Sequence, residues 1–177
     1  ARSSAASDVY KRQTMSLIAS GPPLVVTTPS EDPSPLGTLN AGPFWPVIDL
    51  AKLRDTVSLD GAVTAARLTH AATSALSSVV QDLATWWATQ AAAGHATLAD
   101  VPALAINGHS VKVGQFETAV YALTRASLLE RYAGIEATGR ANDGAEIRAA
   151  QANELRRDAF WAVRDIQGTA RMTSELI

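Results

Sequence analysis

A chain of 177 residues with no cysteine and a formal net charge of −2 is long enough for one domain with its own core. It can form neither a disulfide nor a thiolate metal site, and it has no cysteine nucleophile. The charge argues against a strongly basic nucleic-acid binder, and no apolar run reaches the ~18 residues that a membrane span needs.

The chain opens on a stretch without helical or strand period. Asp8-Val9-Tyr10-Lys11-Arg12-Gln13 spells one reading frame of a transposon-end adapter used in sequencing libraries. Residues 1–14 are therefore expected to be adapter read-through, with Met15 as the start. Pro22, Pro23, Pro29, Pro33, Pro35 and Pro43 crowd the next segment. Proline lacks an N–H and blocks helix interiors, so residues 15–43 read as an extended or disordered arm. Leu24-Val25-Val26 can form a short strand there if it finds an edge.

The folded region is expected at residues 44–168, followed by a tail at 169–177. A short helix starts at Asp49, a good N-cap, and carries Leu50, Leu53 and Val57. Leu59-Asp60-Gly61 reads as a turn. The first long helix is expected from Thr64 to Ala93, stopped by Gly94, with Leu68, Ala72, Ala75, Val79, Leu83 and Trp86 at helical spacing. Residues 95–109 connect, and the extended pieces flanking Asn107-Gly108 can pair as a hairpin.

The second long helix is expected from Ser110, as N-cap, to Ala133, stopped by Gly134. Phe116, Val120, Leu123 and Ala126 form one face, and Tyr121, Leu128, Leu129 and Tyr132 widen it. Glu117, Thr124 and Arg131, flanked by Thr118 and Arg125, form a narrow polar stripe. A helix apolar over most of its circumference is central to its domain or covered by another chain. The third long helix spans Ala145–Gln167, with Asp143 and Glu146 as a capping-box variant, Gly168 as stop, and Ile147, Leu155, Ala159, Ala162 and Ile166 facing the core. The fold class is thus all-α: a helical bundle of three long helices plus a short N-terminal helix, with an extended Pro-rich arm and a short hairpin in the 95–110 connection.

Catalytic patterns are missing. His70, His95 and His109 have no metal-ligand spacing, and no phosphate-binding glycine loop or GxSxG elbow occurs. Glu130 and Glu154 sit on different long helices, where ion pairing is the ordinary role, and the ExxH pairs of a di-iron bundle are missing. The chain is therefore expected not to be an enzyme and to hold no metal or cofactor. Trp86 and Trp87 are ~100° apart on one helix, so both cannot point the same way; core packing of both is the favoured reading, with one of them capped by a long side chain or buried by a partner as the alternative. On the third helix Arg148, Arg156, Arg157 and Arg164 alternate with Glu146, Glu154, Asp158 and Asp165. Mixed signs suit a solvated face or a protein seam better than a DNA-binding stripe. Arg157 can reach Trp161 one turn on.

Several blocks together resemble the head-completion proteins (gpL type) of temperate tailed myophages. They are Phe44-Trp45-Pro46-Val47-Ile48-Asp49-Leu50, Leu59-Asp60-Gly61-Ala62-Val63-Thr64, Ala96-Thr97-Leu98-Ala99-Asp100-Val101-Pro102, Asn107-Gly108-His109-Ser110-Val111, Leu128-Leu129-Glu130-Arg131-Tyr132 and Arg156-Arg157-Asp158-Ala159-Phe160-Trp161. Trp45 stands where a second Phe is commoner, and Asn107 where Asp is commoner. The Pro-rich arm lies outside the resemblance. The resemblance implies a virion structural protein, made in the bacterial host cytoplasm and placed at the portal vertex of the head. It implies a connector ring of identical subunits that completes the DNA-filled head, protects the DNA and prepares tail attachment. Its implied partners are further copies of itself, the portal protein and tail or neck proteins, near packaged DNA but without sequence-specific binding, and no membrane. Phe44, Trp45 and Ile48 are expected to anchor the arm on a neighbour. Tyr121, Arg125 and Tyr132 on the second helix, and Arg156, Arg157, Trp161 and Arg164 on the third, are the candidate seam. The competing reading is a helical DNA-binding or regulatory module of a prophage, which needs a basic recognition helix.

Overall fold

The first helix is fixed by one carboxylate. Asp49 accepts hydrogen bonds from the Ala51 and Lys52 N–H groups at 2.7 and 3.1 Å, which fills two donors left open at a helix start. Helix α1 (Leu50–Thr56) follows and buries Leu50 and Leu53, with Val57 buried at its end. The computed structural model describes residues 36–57, 63–136 and 142–169, with side chains described throughout except at 132–136 and 142–143. The described residues all fall in one compact unit, Asp32–Ile177. The expected read-through at 1–14, the strand at Leu24-Val25-Val26, the turn at Leu59-Asp60-Gly61 and most of the tail lie outside them.

Strand β1 (Thr38–Leu39) pairs antiparallel with β2 (Ile48–Asp49), Thr38 opposite Asp49 and Leu39 opposite Ile48. The last residues assigned by sequence to the arm therefore include a paired strand, and Leu36 and Leu39 pack on the core. The loop between the strands carries Phe44 and Trp45 inward.

The expected first long helix is broken in two. Helix α2 (Ala65–Asp82) starts at Thr64, whose hydroxyl accepts from the Arg67 N–H at 3.4 Å. It ends at Leu83, where ψ moves to 0°. Helix α3 (Ala84–Ala92) then continues to the expected stop at Gly94, which has φ +91°. No proline or glycine marks the break. Leu83 is fully buried, and the turn beyond it carries Trp86 and Trp87 to the Phe44 ring, with centroids 6.4 and 6.2 Å away.

A 3-10 turn (Leu98–Asp100) opens the connection, its Asp100 carboxylate accepting from the Thr97 N–H and hydroxyl at 2.9 and 2.7 Å. The Leu98 N–H donates to the Phe44 carbonyl at 2.8 Å. Strands β3 (Ala105–Ile106) and β4 (His109–Ser110) then form the expected hairpin. Its tip needs two positive φ angles, supplied by Asn107 (52°) and Gly108 (79°).

Helix α4 (Val111–Glu136) packs against both α2 and α5 (Asn142–Gln167). Lys112 Nζ donates to the Ile166 carbonyl at 2.6 Å, and Gln167 Nε2 donates to the Asp82 carbonyl at 3.1 Å. The C-terminal ends of α2 and α5 therefore meet the N-terminal end of α4, and both run antiparallel to it. Phe116, Ala119, Val120 and Leu128 on α4 and Ala159, Ala162, Val163 and Ile166 on α5 are buried.

Four local expectations are corrected. Ser110 precedes α4, but its hydroxyl is buried without a hydrogen-bond partner among the described residues and so does not cap. Helix α4 runs through Gly134 to Glu136. Thr124, placed on the polar stripe, is fully buried, and its hydroxyl returns to the Val120 carbonyl at 2.7 Å, which removes the cost of burial. Ile147 is 60% exposed because it lies ~140° around the helix from buried Ala152 at ~100° per residue. The fold is accordingly mainly α with two short strand pairs, rather than strictly all-α.

Trp45 stacks on Phe116 with centroids 5.0 Å apart and planes 14° from parallel, and meets Phe44 edge-on at 4.9 Å. Trp45→Ala is expected to lower stability by about 3–5 kcal/mol in equilibrium urea unfolding. An unchanged midpoint contradicts the central place given to this stack.

Candidate functional site

The candidate sites on this chain are surfaces. Among the described residues no group of three or more His, Asp or Glu could hold a metal ion, and no helix is long and apolar enough to cross a membrane. His70 on α2 and His109 on β4 are exposed, and His95, in the connection after α3, is half-buried.

Phe44, Trp45 and Ile48 do not stand exposed, as the sequence led us to expect. They are 5%, 6% and 0% exposed, because β1–β2 folds their loop back over α4 and α3. Their apolar surface is spent inside their own chain. Tyr121 is also buried, and its hydroxyl has no hydrogen-bond partner among the described residues. Burial pushes its pKa up from 10.0 to about 12, helped by the charges of Glu117 and Asp49.

Two arginines expected in a seam with another copy are engaged within the chain. Arg156 forks onto both carboxylate oxygens of Glu130, and this hydrogen bond pushes the Arg156 pKa up. Arg157 turns to Glu154 at 3.0 Å, rather than to Trp161 as the spacing led us to expect. Glu130 and Glu154 therefore serve as ion-pair partners, each on its own arginine. The Arg164 guanidinium lies over the Phe160 ring, 5.5 Å from its centroid. Arg125 lines a hollow of about 230 Å³ with Leu129, Gln151 and Leu155. Trp161 lines another of about 200 Å³ with Gln115, Thr118 and Asp158. The side chain of Tyr132 lies outside those described. Neither tryptophan is fully buried, against the expectation that both pack in the core: Trp86 is half-buried under Lys112, whose Nζ sits 5.3 Å from its ring, and Trp87 is 41% exposed.

Sequence reasoning placed the hairpin but passed over it as a surface. Leu104 and Ile106 are 73% and 59% exposed, and residues two apart on an extended segment share a face. That period was the available signal. Beside them lies a groove of about 480 Å³, lined by Ile106, Ser110, Val111 and Val113 and closed by the Lys52–Glu117 ion pair at 2.8 Å. Lys112 at the same end spends its charge on the Ile166 carbonyl, and burial lowers its pKa.

With this geometry in place, comparison with known proteins is informative. A family model described as phage head completion protein (GPL) matches residues 39–177. The chain is 40% identical over 128 residues, 72% of its own length and 76% of the relative's, to the head completion/stabilization protein of Escherichia phage P2. No solved structure matches significantly.

Two measurements check the site's energetics. The unfolded chain releases the Tyr121 proton near pH 10 and the folded chain near 12, so stability falls as pH rises through that window and is untouched below it. Tyr121→Phe is expected to abolish this component of the alkaline loss in a pH series of thermal melts, and to be neutral or stabilising by about 1 kcal/mol at pH 7. Arg156→Ala is expected to cost no more than ~1 kcal/mol in urea unfolding, since both partners are largely solvated.

Proposed function

The chain belongs to the family of phage head completion proteins, and from that premise we propose that it acts at the portal vertex as one subunit of a connector ring. There it closes the DNA-filled head, shields the packaged DNA and presents a surface for the tail. Its work is done by contact: side chains that other subunits, the portal and neck proteins cover in the assembled head.

The observation that carries this reading beyond family membership is the exposed apolar set Leu104, Ile106, Trp87 and Phe160 on a chain whose core is already closed. Large apolar groups left outside a complete core are interaction surface. The formal charge of −2 supports DNA passing nearby without tight binding, because a weakly acidic surface has no excess of cations to displace the counterions condensed on DNA. The arginines of α5 support the same point, since Arg156 and Arg157 are spent on carboxylates.

A phage deleted for this gene is expected to fill heads that then lose their DNA to nuclease and take on no tails. Supplying the chain in trans restores both, and protein added to such heads saturates at a fixed ring stoichiometry. Nuclease-resistant, tailed particles from the deletion overturn the proposal.

A further inference from the structure

Charge is segregated along this chain. From Ala65 to Val111 only Arg67, Asp82 and Asp100 are charged, whereas residues 112–167 hold sixteen charged side chains. Helices α2 and α3 and the hairpin fall in the first stretch, α4 and α5 in the second. A solvated helix face ordinarily carries charge, and depletion of charge marks the core of a protein interface.

The hydroxyls of α2 sharpen the point. Thr69, Thr73 and Ser78 each donate back to the carbonyl four residues earlier, at 2.9, 2.8 and 3.1 Å. Gln81 donates to the Ser77 hydroxyl at 3.2 Å. A dry partner laid on this face strands none of these four donors, which lowers the desolvation penalty at Thr69, Thr73, Ser78 and Gln81, while the Ser74 and Ser77 hydroxyls donate to acceptors on the partner. The residues are also small, which leaves room for larger side chains to approach.

The complementary surface is on the same molecule. Leu104 and Ile106 project from the hairpin, and the charged side chains of the neighbouring segments are engaged within the chain: Lys52 in an ion pair with Glu117, Lys112 as donor to the Ile166 carbonyl, and Asp100 as acceptor from Thr97. None of these three side chains is held in reserve for the charges on the α4–α5 side of a neighbour, and burying that side's charges unpaired is costly. Nucleic acid is disfavoured on α2, where Arg67 is the one cation. We propose that the hairpin of one copy, through Leu104 and Ile106, packs on the uncharged α2 face of the next copy, around Ser74, Ser77 and Ser78. This rests on the reading of the chain as a multi-copy head component. Two different surfaces in contact make a heterologous interface, the kind that generates rings when its rotation closes.

The chain has no cysteine, so introduced thiols report alone. Filled heads carrying Ile106→Cys together with Ser77→Cys are expected to give a covalent ladder of multimers on oxidation, while each single variant stays monomeric. Ser74→Cys and Ser78→Cys replace Ser77→Cys in parallel preparations. Ile106→Asp keeps its fold by circular dichroism and thermal melting, because the residue is 59% exposed, but lowers occupancy of the head at least tenfold. Dimers from Ile106→Cys alone place hairpin on hairpin and overturn the proposal, as does a crosslink to a different head protein. So does the lack of any ladder with all three serine positions while the protein is present in heads, which leaves the head-completion reading standing. Absence of the wild-type protein from purified heads overturns both.

Discussion

The fold depends on one aromatic stack. Trp45 lies flat on Phe116, and Phe44 meets Trp45 edge-on while its ring also touches Trp86 and Trp87. These contacts tie the loop after β1 to α4 and α3, three pieces far apart in sequence. Aromatic pairs contribute about 0.5–1.5 kcal/mol beyond their area, but the larger effect is geometric. With the stack in place, the Phe44 carbonyl receives the Leu98 N–H and sets where the connection begins. Ile48 is then carried into the core, and Asp49 stands at the head of α1.

Helix α4 is the element around which the others are arranged, and its sequence shows the strain of serving two neighbours. Its hydrophobic positions cover most of its circumference because α2 occupies one side and α5 another. Thr124 is tolerated between them because its hydroxyl is satisfied within the helix. Tyr121 is a less complete solution. Its ring fills space, yet its hydroxyl finds no partner among the described residues and its ionised form is disfavoured.

The parts legible in the sequence are those decided locally. Asp49 and Thr64 cap the helices they were expected to cap, Gly94 and Gly168 sit where α3 and α5 stop, and Asn107-Gly108 turns the hairpin. Each needs only a side chain and the backbone within a few residues. The parts that were not legible need a distant partner. Leu83 breaks a helix because the core below it accepts its side chain and Phe44 draws the next turn aside. Phe44 and Trp45 follow a proline-rich stretch and so read as exposed, until β1 brings them back over Phe116. Ile147 fits a helical repeat counted from Leu155, but the buried phase of α5 is set by small residues, Ala152 and Ala159, that hydrophobic counting underweights.

The same logic separates the candidate seam from the candidate anchors. Arg156 and Arg157 sit on an exposed helix face, where a long flexible side chain finds the nearest carboxylate. Such pairs orient helices more than they stabilise them, and each arginine so used is one fewer available to nucleic acid or to another chain. Leu104 and Ile106 have no comparable internal outlet. They stand on a two-strand ribbon whose register is fixed by its turn, so their outward direction is set by backbone geometry and not by choice of rotamer. A side chain that cannot turn inward is either a standing cost in water or half of a contact. The exposure of both on one face of the hairpin, near charged side chains already engaged within the chain, favours the second.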